Sequence, residues 1–429
     1  MKVLFLTYHF APHNQIGAVR CTKTAKYLVQ GGDEVRVLTA GDKPFAETLP
    51  IEMDSSLIQW VPCPHLDRIA RVASSRLTDA QVSVPLSQQT GLKARVLRRL
   101  YYLYKIFTWY PDNIARWKSG LLEAARKEVA KFQPDIIFAS GPPYTQLLTA
   151  AAISQETGIP WVCELRDLWV DNHNYPYTTW RRRIEEKLET RTLSTASAFI
   201  TVSEPLAEKI RRKYKAPVHV VPNGFDPPDF PDKRSNTFSA EKLHLAYTGF
   251  IYSGKQDIRP LLEAISIVKQ SAKSVVLHLY GRSLGDVVEQ AKVLNISDSV
   301  HYHGVVPYRE SLDAQRSVDA LVFLNWNDAQ QTGVYSGKLF EYLGARRPIV
   351  CVGTTPTVAS DLILERKAGC FSDEPAELAQ FLMQLYDEKQ DKGGIADSPD
   401  TVSAGFTRQE QTAQIRRILQ AAATPHGLC

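Results

Sequence analysis

The chain has 429 residues, 44% of them hydrophobic and 23% charged, with a formal charge of +5. That length calls for two domains, each with an ample core, and the composition excludes disordered, collagen-like and disulfide-scaffold classes. A surface this mildly basic selects no partner by itself.

The first apolar run, Val3 to Leu6, stops at Thr7. It is too short for a signal-peptide core, and no later run approaches the ~18 apolar residues of a spanning helix, so the expected location is the cytoplasm. Strand candidates follow at 2–7, 34–40, 57–61, 135–140, 161–165, 198–203 and 218–222, then at 243–249, 275–281, 300–304, 320–325 and 348–353. They are short, rich in β-branched residues and separated by helical stretches, the pattern of parallel α/β units. Two such series predict two doubly wound sheets. Pro222-Asn223-Gly224 through about Ser239 combines turn formers with prolines and marks the boundary. The predicted divisions are 1–232, 240–405 and a last helical segment, 406–429. Lys389 to Ser403 reads as a mobile loop, and the last helix opens on a Thr407-x-x-Glu410 capping box with an apolar face at Ile415, Ile418 and Leu419. Cys21, Cys63, Cys163, Cys351, Cys370 and Cys429 show no metal or redox spacing and read as reduced, structural thiols.

The stretch TGVYSGKLFEYLGARRPIV, 332–350, sets polar residues directly before an apolar run. Gly333 and Gly337 allow close backbone approach, Ser336 is an N-cap candidate, and a helix should start near Lys338. A helix start exposes unpaired N–H groups and a partial positive charge, which favour phosphate. Lys338 adds a full charge. Glu341, one turn on, suits two vicinal ribose hydroxyls, so the pair points to a nucleotide. An ordinary helix start with a solvated Lys338 fits the same spacing. Two other strand ends add weight: Gly249 to Lys255, which includes Tyr252, and Gly281-Arg282. Gly249 would admit a ligand to the backbone, and Lys255 and Arg282 would neutralise a leaving diphosphate. Taken singly, each also fits plain surface charge.

Read together with YHFAPHNQIGAVR (8–20), VPNGFDPPDF (221–230), YTGFIYSGK (247–255) and VHYHGVVPYRESL (300–312), this order of motifs resembles the retaining glycosyltransferases of the GT-B fold, family four, over nearly the whole chain. The resemblance implies an α/β chain of two Rossmann-like domains facing across a cleft. The first would bind the acceptor and the second a nucleotide-sugar donor of UDP or GDP type, with no other cofactor and no obligatory metal. Glu341 matches the ribose-binding glutamate, and Ser336, Gly337 and Lys338 match the loop beneath the diphosphate. Gly249, Tyr252, Lys255 and Arg282 complete the expected donor set. The family pattern has a second glutamate where this chain has Gly333, so the donor sugar is not inherited; Asp328 is the nearby carboxylate to take that part. No D-x-D triplet is present.

In the first half, Gly17 follows the first strand and opens a helix through Arg20, and Ser140-Gly141-Pro142-Pro143 is a comparable turn. The resemblance makes Gly17, Arg20 and Gly141 an acceptor or phosphate loop, while glycines chosen for tight packing fit equally. In WVCELRDLWVDN (161–172), Glu164, Arg166, Asp167 and Asp171 gather at a strand end. Arg166-Asp167 resembles the RD-L-W variant of cell-surface polysaccharide enzymes. Asp167 is the expected acceptor-orienting carboxylate, with Arg166 its partner or an anion contact, and Lys255 joins them as catalytic; a purely structural Arg166–Asp167 arrangement is the competing reading. Residues 93–109 interleave Lys93, Arg95, Arg98, Arg99 and Lys105 with aromatics. They suit an anionic membrane surface on the inner face of the plasma membrane or a helix docked on its own sheet. No nucleic-acid module accompanies them.

The expected activity is transfer of a sugar, with retention, to a glycan or lipid-linked acceptor hydroxyl. The alternatives are a nucleotide-sugar epimerase of the same fold and a non-catalytic binding or membrane scaffold protein.

Overall fold

The computed structural model describes residues 1–64 and 99–424, apart from 15, 44, 46, 100, 101, 103, 107, 173, 174, 176, 232, 233, 235–237, 253, 282–285, 329–332 and 334. The chain divides into two compact units. The first holds Met1–Thr201, Leu206–Val220 and Thr412–Cys429, and the second Val202–Pro205 and Val221–Gln411.

The first unit is built on β1 (Lys2–Thr7), β2 (Glu34–Ala40), β3 (Ile58–Val61), β4 (Ile136–Gly141), β5 (Trp161–Leu165), β6 (Ala198–Thr201) and β7 (Val218–Val220). All pair in parallel, in the order β3-β2-β1-β4-β5-β6-β7. Crossover helices cover both faces of such a sheet, so its strands read as continuous apolar runs rather than alternating ones; every residue of β4 and β5 is buried. The strand order turns back between β1 and β4, and in an open α/β sheet ligands bind outside the carboxyl ends at that switch point. The helix Ile16–Gln30 leaves β1, and Thr145–Thr157 leaves β4, both at that edge.

The second unit repeats the plan with β8 (Leu243–Thr248), β9 (Val275–Tyr280), β10 (Val300–Gly304), β11 (Ala320–Leu324), β12 (Ile349–Val352) and β13 (Gly369–Ser372). Their parallel order is β10-β9-β8-β11-β12-β13, so the switch point lies between β8 and β11. Leu277, Leu279, Ala320, Val322 and Val350 pack on the helices Arg259–Gln270 and Pro375–Lys392 on one face. Leu321, Phe323 and Ile349 pack on the helix Gly337–Ala345 on the other.

Two expectations are corrected. β13 was not foreseen, because a four-residue Gly-Cys-Phe-Ser strand, half-buried along its length, carries no apolar run. The expected mobile loop at Lys389–Ser403 is anchored instead. Its first residues finish the helix Pro375–Lys392, Gly393 caps it at φ 72°, and Asp397 receives both Arg316 (2.5 and 2.8 Å) and the buried Arg347 (3.0 Å). Polar residues expected in solvent are there to neutralise two arginines. The Thr407–Glu410 capping box forms, and in the last helix, Arg408–Ala423, Arg416 Nε donates to Asp33 of the first unit at 2.7 Å. Cys21, Cys63, Cys163, Cys351 and Cys370 are free thiols. No helix among the described residues is long and apolar enough to cross a membrane.

Candidate active site

In the second unit, the ends of β8, β9 and β11 and the start of the helix Gly337–Ala345 meet at one place. Gly249, with φ 116°, is the residue after β8, and a side chain there would begin 2.9 Å from Lys338 Nζ. At Gly281, after β9, a Cβ would lie 1.9 Å from the Gly249 carbonyl oxygen, so the two strand ends close only with glycine. The helix begins at Gly337, where an added Cβ meets nothing within 4 Å. Ser336 takes the extended N-cap conformation, but its hydroxyl caps nothing. Among the described residues, then, no side chain caps the helix tip, whose first N–H groups carry its positive end.

Lys338 is turned inward from that tip. Its ammonium donates to the Tyr247 hydroxyl at 3.0 Å and stands 4.2 Å from the centre of the same ring. Burial lowers its pKa to about 8, and the nearby Glu341 opposes the shift. Glu341 accepts from the Tyr308 hydroxyl at 3.1 Å on one oxygen and from Gln315 at 3.4 Å on the other. Burial raises its pKa, against the pull of those hydrogen bonds and of Arg408 and Lys338. Although one helical turn apart, Lys338 and Glu341 form no ion pair with each other. The sequence supplied both, but not Tyr247, Tyr308 or Gln315, which orient them.

Lys255 pairs with Asp328 at 3.2 Å while its side chain keeps 44% of its exposure. Asp328, the expected stand-in for the missing glutamate, is therefore bound to the lysine meant for the diphosphate. Lys255 lines a depression of about 420 Å³ with Gly254, Asp257, Arg259 and Asn327. Tyr252 is exposed and its ring lies against Phe250 at 4.8 Å and Trp326 at 5.1 Å. Phe250 and Trp326 were missed in the sequence, though each stands two residues beyond a strand. Gly333 is tightly packed: its carbonyl accepts from Ser203 at 2.5 Å, and a Cβ would fall 2.7 Å from Pro205, so a glutamate has no room there without movement. Arg282 lies outside the described residues.

In the first unit the charged groups are tied to each other. Arg20, buried on the first helix, holds Glu164 of β5 through Nε at 2.9 Å and Nη2 at 2.8 Å, and Ser140 Oγ donates to the other carboxylate oxygen. Burial alone would raise the Glu164 pKa, but Arg20 and Ser140 bring it below the usual range. Arg20 is thus committed to a carboxylate rather than presented to a ligand. Arg166 donates to the carbonyls of Gly141 and Pro142, and its guanidinium occupies the space a side chain at Gly17 would need. Gly17 therefore admits Arg166, whereas a Cβ at Gly141 would fall 3.0 Å from the Pro143 carbonyl oxygen and 3.2 Å from Leu147. Asp171 is held by Lys213 at 2.6 Å and Arg182 at 2.9 Å. Asp167 is half-buried after β5, near enough to Tyr144 to raise that phenol's pKa behind the larger effect of burial.

Comparison with known proteins bears on the fold and the family. Residues 17–224 match the family model of the glycosyl transferase 4-like domain, and residues 242–388 that of glycosyl transferases group 1. The chain carries the two domains of a GT-B glycosyltransferase. The same fold is seen in sucrose-phosphate synthase of Thermosynechococcus elongatus (TM-score 0.62, 13% identity, 98% of each chain covered). It is seen also in Anabaena HepE in complex with UDP-glucose (0.58, 15%, 98% of this chain and 100% of that one). A variant of S. aureus TarM in complex with fondaparinux, alpha-GlcNAc-glycerol and UDP is a third case (0.56, 11%, 99% of each). Among curated proteins no sequence matches.

Of the basic segment 93–109 in this glycosyltransferase, Lys93, Arg95 and Arg98 lie outside the described residues. Its end is docked. Buried Arg181, paired with Glu185, donates to the carbonyls of Lys105 (3.0 Å), Ile106 and Trp109, while Tyr102 and Tyr104 stay exposed.

Proposed function

We propose that the chain is a retaining glycosyltransferase that moves a sugar from a nucleoside-diphosphate donor, of UDP or GDP type, to a glycan or lipid-linked hydroxyl in cell-surface polysaccharide or glycolipid assembly. One observation carries the reading: an ammonium with no carboxylate partner among the described residues, Lys338, sits under a glycine strand end beside a helix tip, one turn before a carboxylate held by neutral donors. Such a tip receives the diphosphate on its N–H groups and on Lys338, with the half-exposed Lys255 adding charge as the leaving group departs. Glu341, held on Tyr308 and Gln315, accepts the ribose hydroxyls. Asp167 orients the acceptor hydroxyl, and an oxygen of the departing phosphate takes its proton on the same face. Charge stabilisation then comes from protein groups, and no metal is assigned a step.

Incubation of the full chain with a panel of nucleotide sugars, read by calorimetry and by transfer of labelled sugar to glycan acceptors, tests this. Neither binding nor transfer to any acceptor would overturn it. Sugar isomerised on the nucleotide without acceptor would mark an epimerase, and binding without turnover a scaffold. A cytoplasmic, membrane-apposed site of action belongs to the same proposal through residues 93–109. Glutamine at Lys93, Arg95, Arg98 and Arg99 should lower co-sedimentation with anionic vesicles, and undiminished co-sedimentation would leave the segment as a docked helix only.

A further inference from the structure

At the carboxyl ends of the adjacent strands β1, β2 and β3, the first unit holds a basic group that the chemistry above does not use. Lys43, three residues beyond β2, is only 7% exposed. Among the described residues its one hydrogen bond is a long one, 3.5 Å to Thr39 Oγ1, and no carboxylate comes within ion-pair distance. What surrounds it instead is aromatic: the Tyr8 ring centre is 5.4 Å from Nζ and the Trp60 ring centre 5.8 Å. Two π faces recover only a part of the hydration an ammonium loses on burial. Consistent with that imbalance, burial lowers the Lys43 pKa to about 7.

Two imidazoles complete the cluster. His9 follows β1 and lies against Tyr8 at 5.0 Å; His13, 5% exposed, lies edge-on to Trp60 at 6.4 Å. Both Nδ1 atoms are buried without a hydrogen-bond partner. Glu47, itself largely exposed, stands 3.9 Å from His13 Nδ1, beyond hydrogen-bonding distance. After burial, positive neighbours are the next cause lowering both pKa values, Arg166 and then Lys43 at His9 and Lys43 at His13, where a backbone hydrogen bond at Phe45 and the carboxylates of Glu47 and Asp42 oppose the shift. Buried polar atoms are nearly always satisfied, so an ammonium and two imidazole nitrogens left unmatched at one sheet edge lack a shared partner. That partner must bring negative charge for the ammonium and hydroxyls, which both donate and accept, for the nitrogens. Trp60, 37% exposed, offers a flat apolar face at the rim of the kind on which sugar rings stack.

We propose that this cluster binds the charged residue of an acidic carbohydrate, with Lys43 Nζ on its phosphoryl or carboxylate group, the imidazoles of His9 and His13 on its hydroxyls, and Trp60 against its ring. The inference deepens the glycosyltransferase reading and rests on it, in that the first unit is where the acceptor is taken. It makes the acceptor an anionic sugar rather than a neutral one.

Saturation-transfer NMR titrations of the full chain with glucose 1-phosphate, methyl glucuronide and the neutral methyl glucoside test it. The wild type should bind at least one acidic probe more tightly than the glucoside. Lys43→Met should weaken that binding by about tenfold or more and leave the glucoside unchanged. The acid that discriminates identifies the group as phosphoryl or carboxylate. Trp60→Ala, at an exposed ring that leaves Lys43 in place, should weaken acidic-probe binding as well. The proposal is overturned if neither acid outcompetes the glucoside on the wild type, or if Lys43→Met binds both acids within about twofold of wild type; should that variant fold poorly, unchanged acid binding by Trp60→Ala overturns it. Affinity for UDP, measured on the same samples, reports on the donor site alone, so a failure of the donor reading appears as lost UDP binding with acid binding intact.

Discussion

Two cation–carboxylate sets, one at each sheet edge, differ in how far the protein satisfies them. Arg20 and Glu164 lie 144 residues apart, yet they meet through two short hydrogen bonds with Ser140 completing the shell. Lys338 and Glu341 lie one helical turn apart and do not pair; Lys338 donates to the Tyr247 hydroxyl above that ring, and Glu341 accepts from the neutral donors Tyr308 and Gln315. The first set is closed on itself and belongs to the architecture. The second is left unpaired within itself, as the proposed donor site requires. Sequence proximity predicts the opposite, so the distinction comes from tertiary partners alone.

Breaking the closed set should have the largest effect. Glu164→Ala leaves the Arg20 guanidinium buried and uncompensated, and should cost about 3–5 kcal/mol of stability in urea denaturation. A loss under about 1 kcal/mol would mean that water reaches Arg20 and the pair is not closed. Glu341→Ala should act chiefly on binding: UDP or GDP affinity falls by roughly ten- to a hundredfold in calorimetry, while stability falls by less than in Glu164→Ala, about 1–3 kcal/mol for the Tyr308 hydroxyl left without its acceptor. Unchanged affinity would remove Glu341 from the ribose.

Lys338 sharpens the contrast through pH. A diphosphate prefers the charged amine, and the free amine titrates at about 8. Nucleotide affinity should therefore hold near pH 7 and fall as pH rises through 8, approaching a tenfold loss per unit beyond it. Lys338→Met should bind about tenfold more weakly at pH 7 and show no such fall. A wild-type profile flat to pH 9.5 would place the diphosphate elsewhere.

A third array is neutral, and its effect emerges only as the pH falls. His244, His278 and His303 form a ladder across β8, β9 and β10, Nδ1 to Nε2 at 3.0 and 2.9 Å, and each such bond needs one N–H and one bare nitrogen. Burial is the main cause lowering all three pKa values, His278 to about 3. A histidine whose folded pKa lies below its unfolded value stabilises the fold fully above about 6.5 and progressively less below it. The second unit should thus lose about 1.4 kcal/mol per pH unit for each proton taken up on unfolding between pH 6.5 and 3. Hydrogen exchange in β8–β10 reads this loss, and exchange free energies constant from pH 7 to 5 would count against the ladder.

Much of the plan was legible in the sequence because parallel strands buried on both faces must be apolar throughout. Leu243–Thr248 and Val275–Tyr280 announce themselves in this way, whereas β13, with no such run, does not. Lys338 and Glu341 were legible because one helix start presents both. Tyr247, Tyr308 and Gln315 were not, being 91 residues from Lys338 and 33 and 26 from Glu341. Lys389–Ser403 misled because polarity signals solvent only where no buried charge needs an answer, and here Arg347 does.

By itself, then, the sequence determined two doubly wound sheets, the glycines at their strand ends and the helix start with its lysine and glutamate, since periodicity and backbone permissiveness are local properties. Tertiary structure decided which charges are spent. Folding paired Arg20 with Glu164, packed Arg166 over Gly17, filled the space around Gly333 and left Lys43 and Lys338 among aromatic rings. Desolvation and pairing depend on what the rest of the chain brings within a few ångströms, and no stretch of sequence contains that information alone.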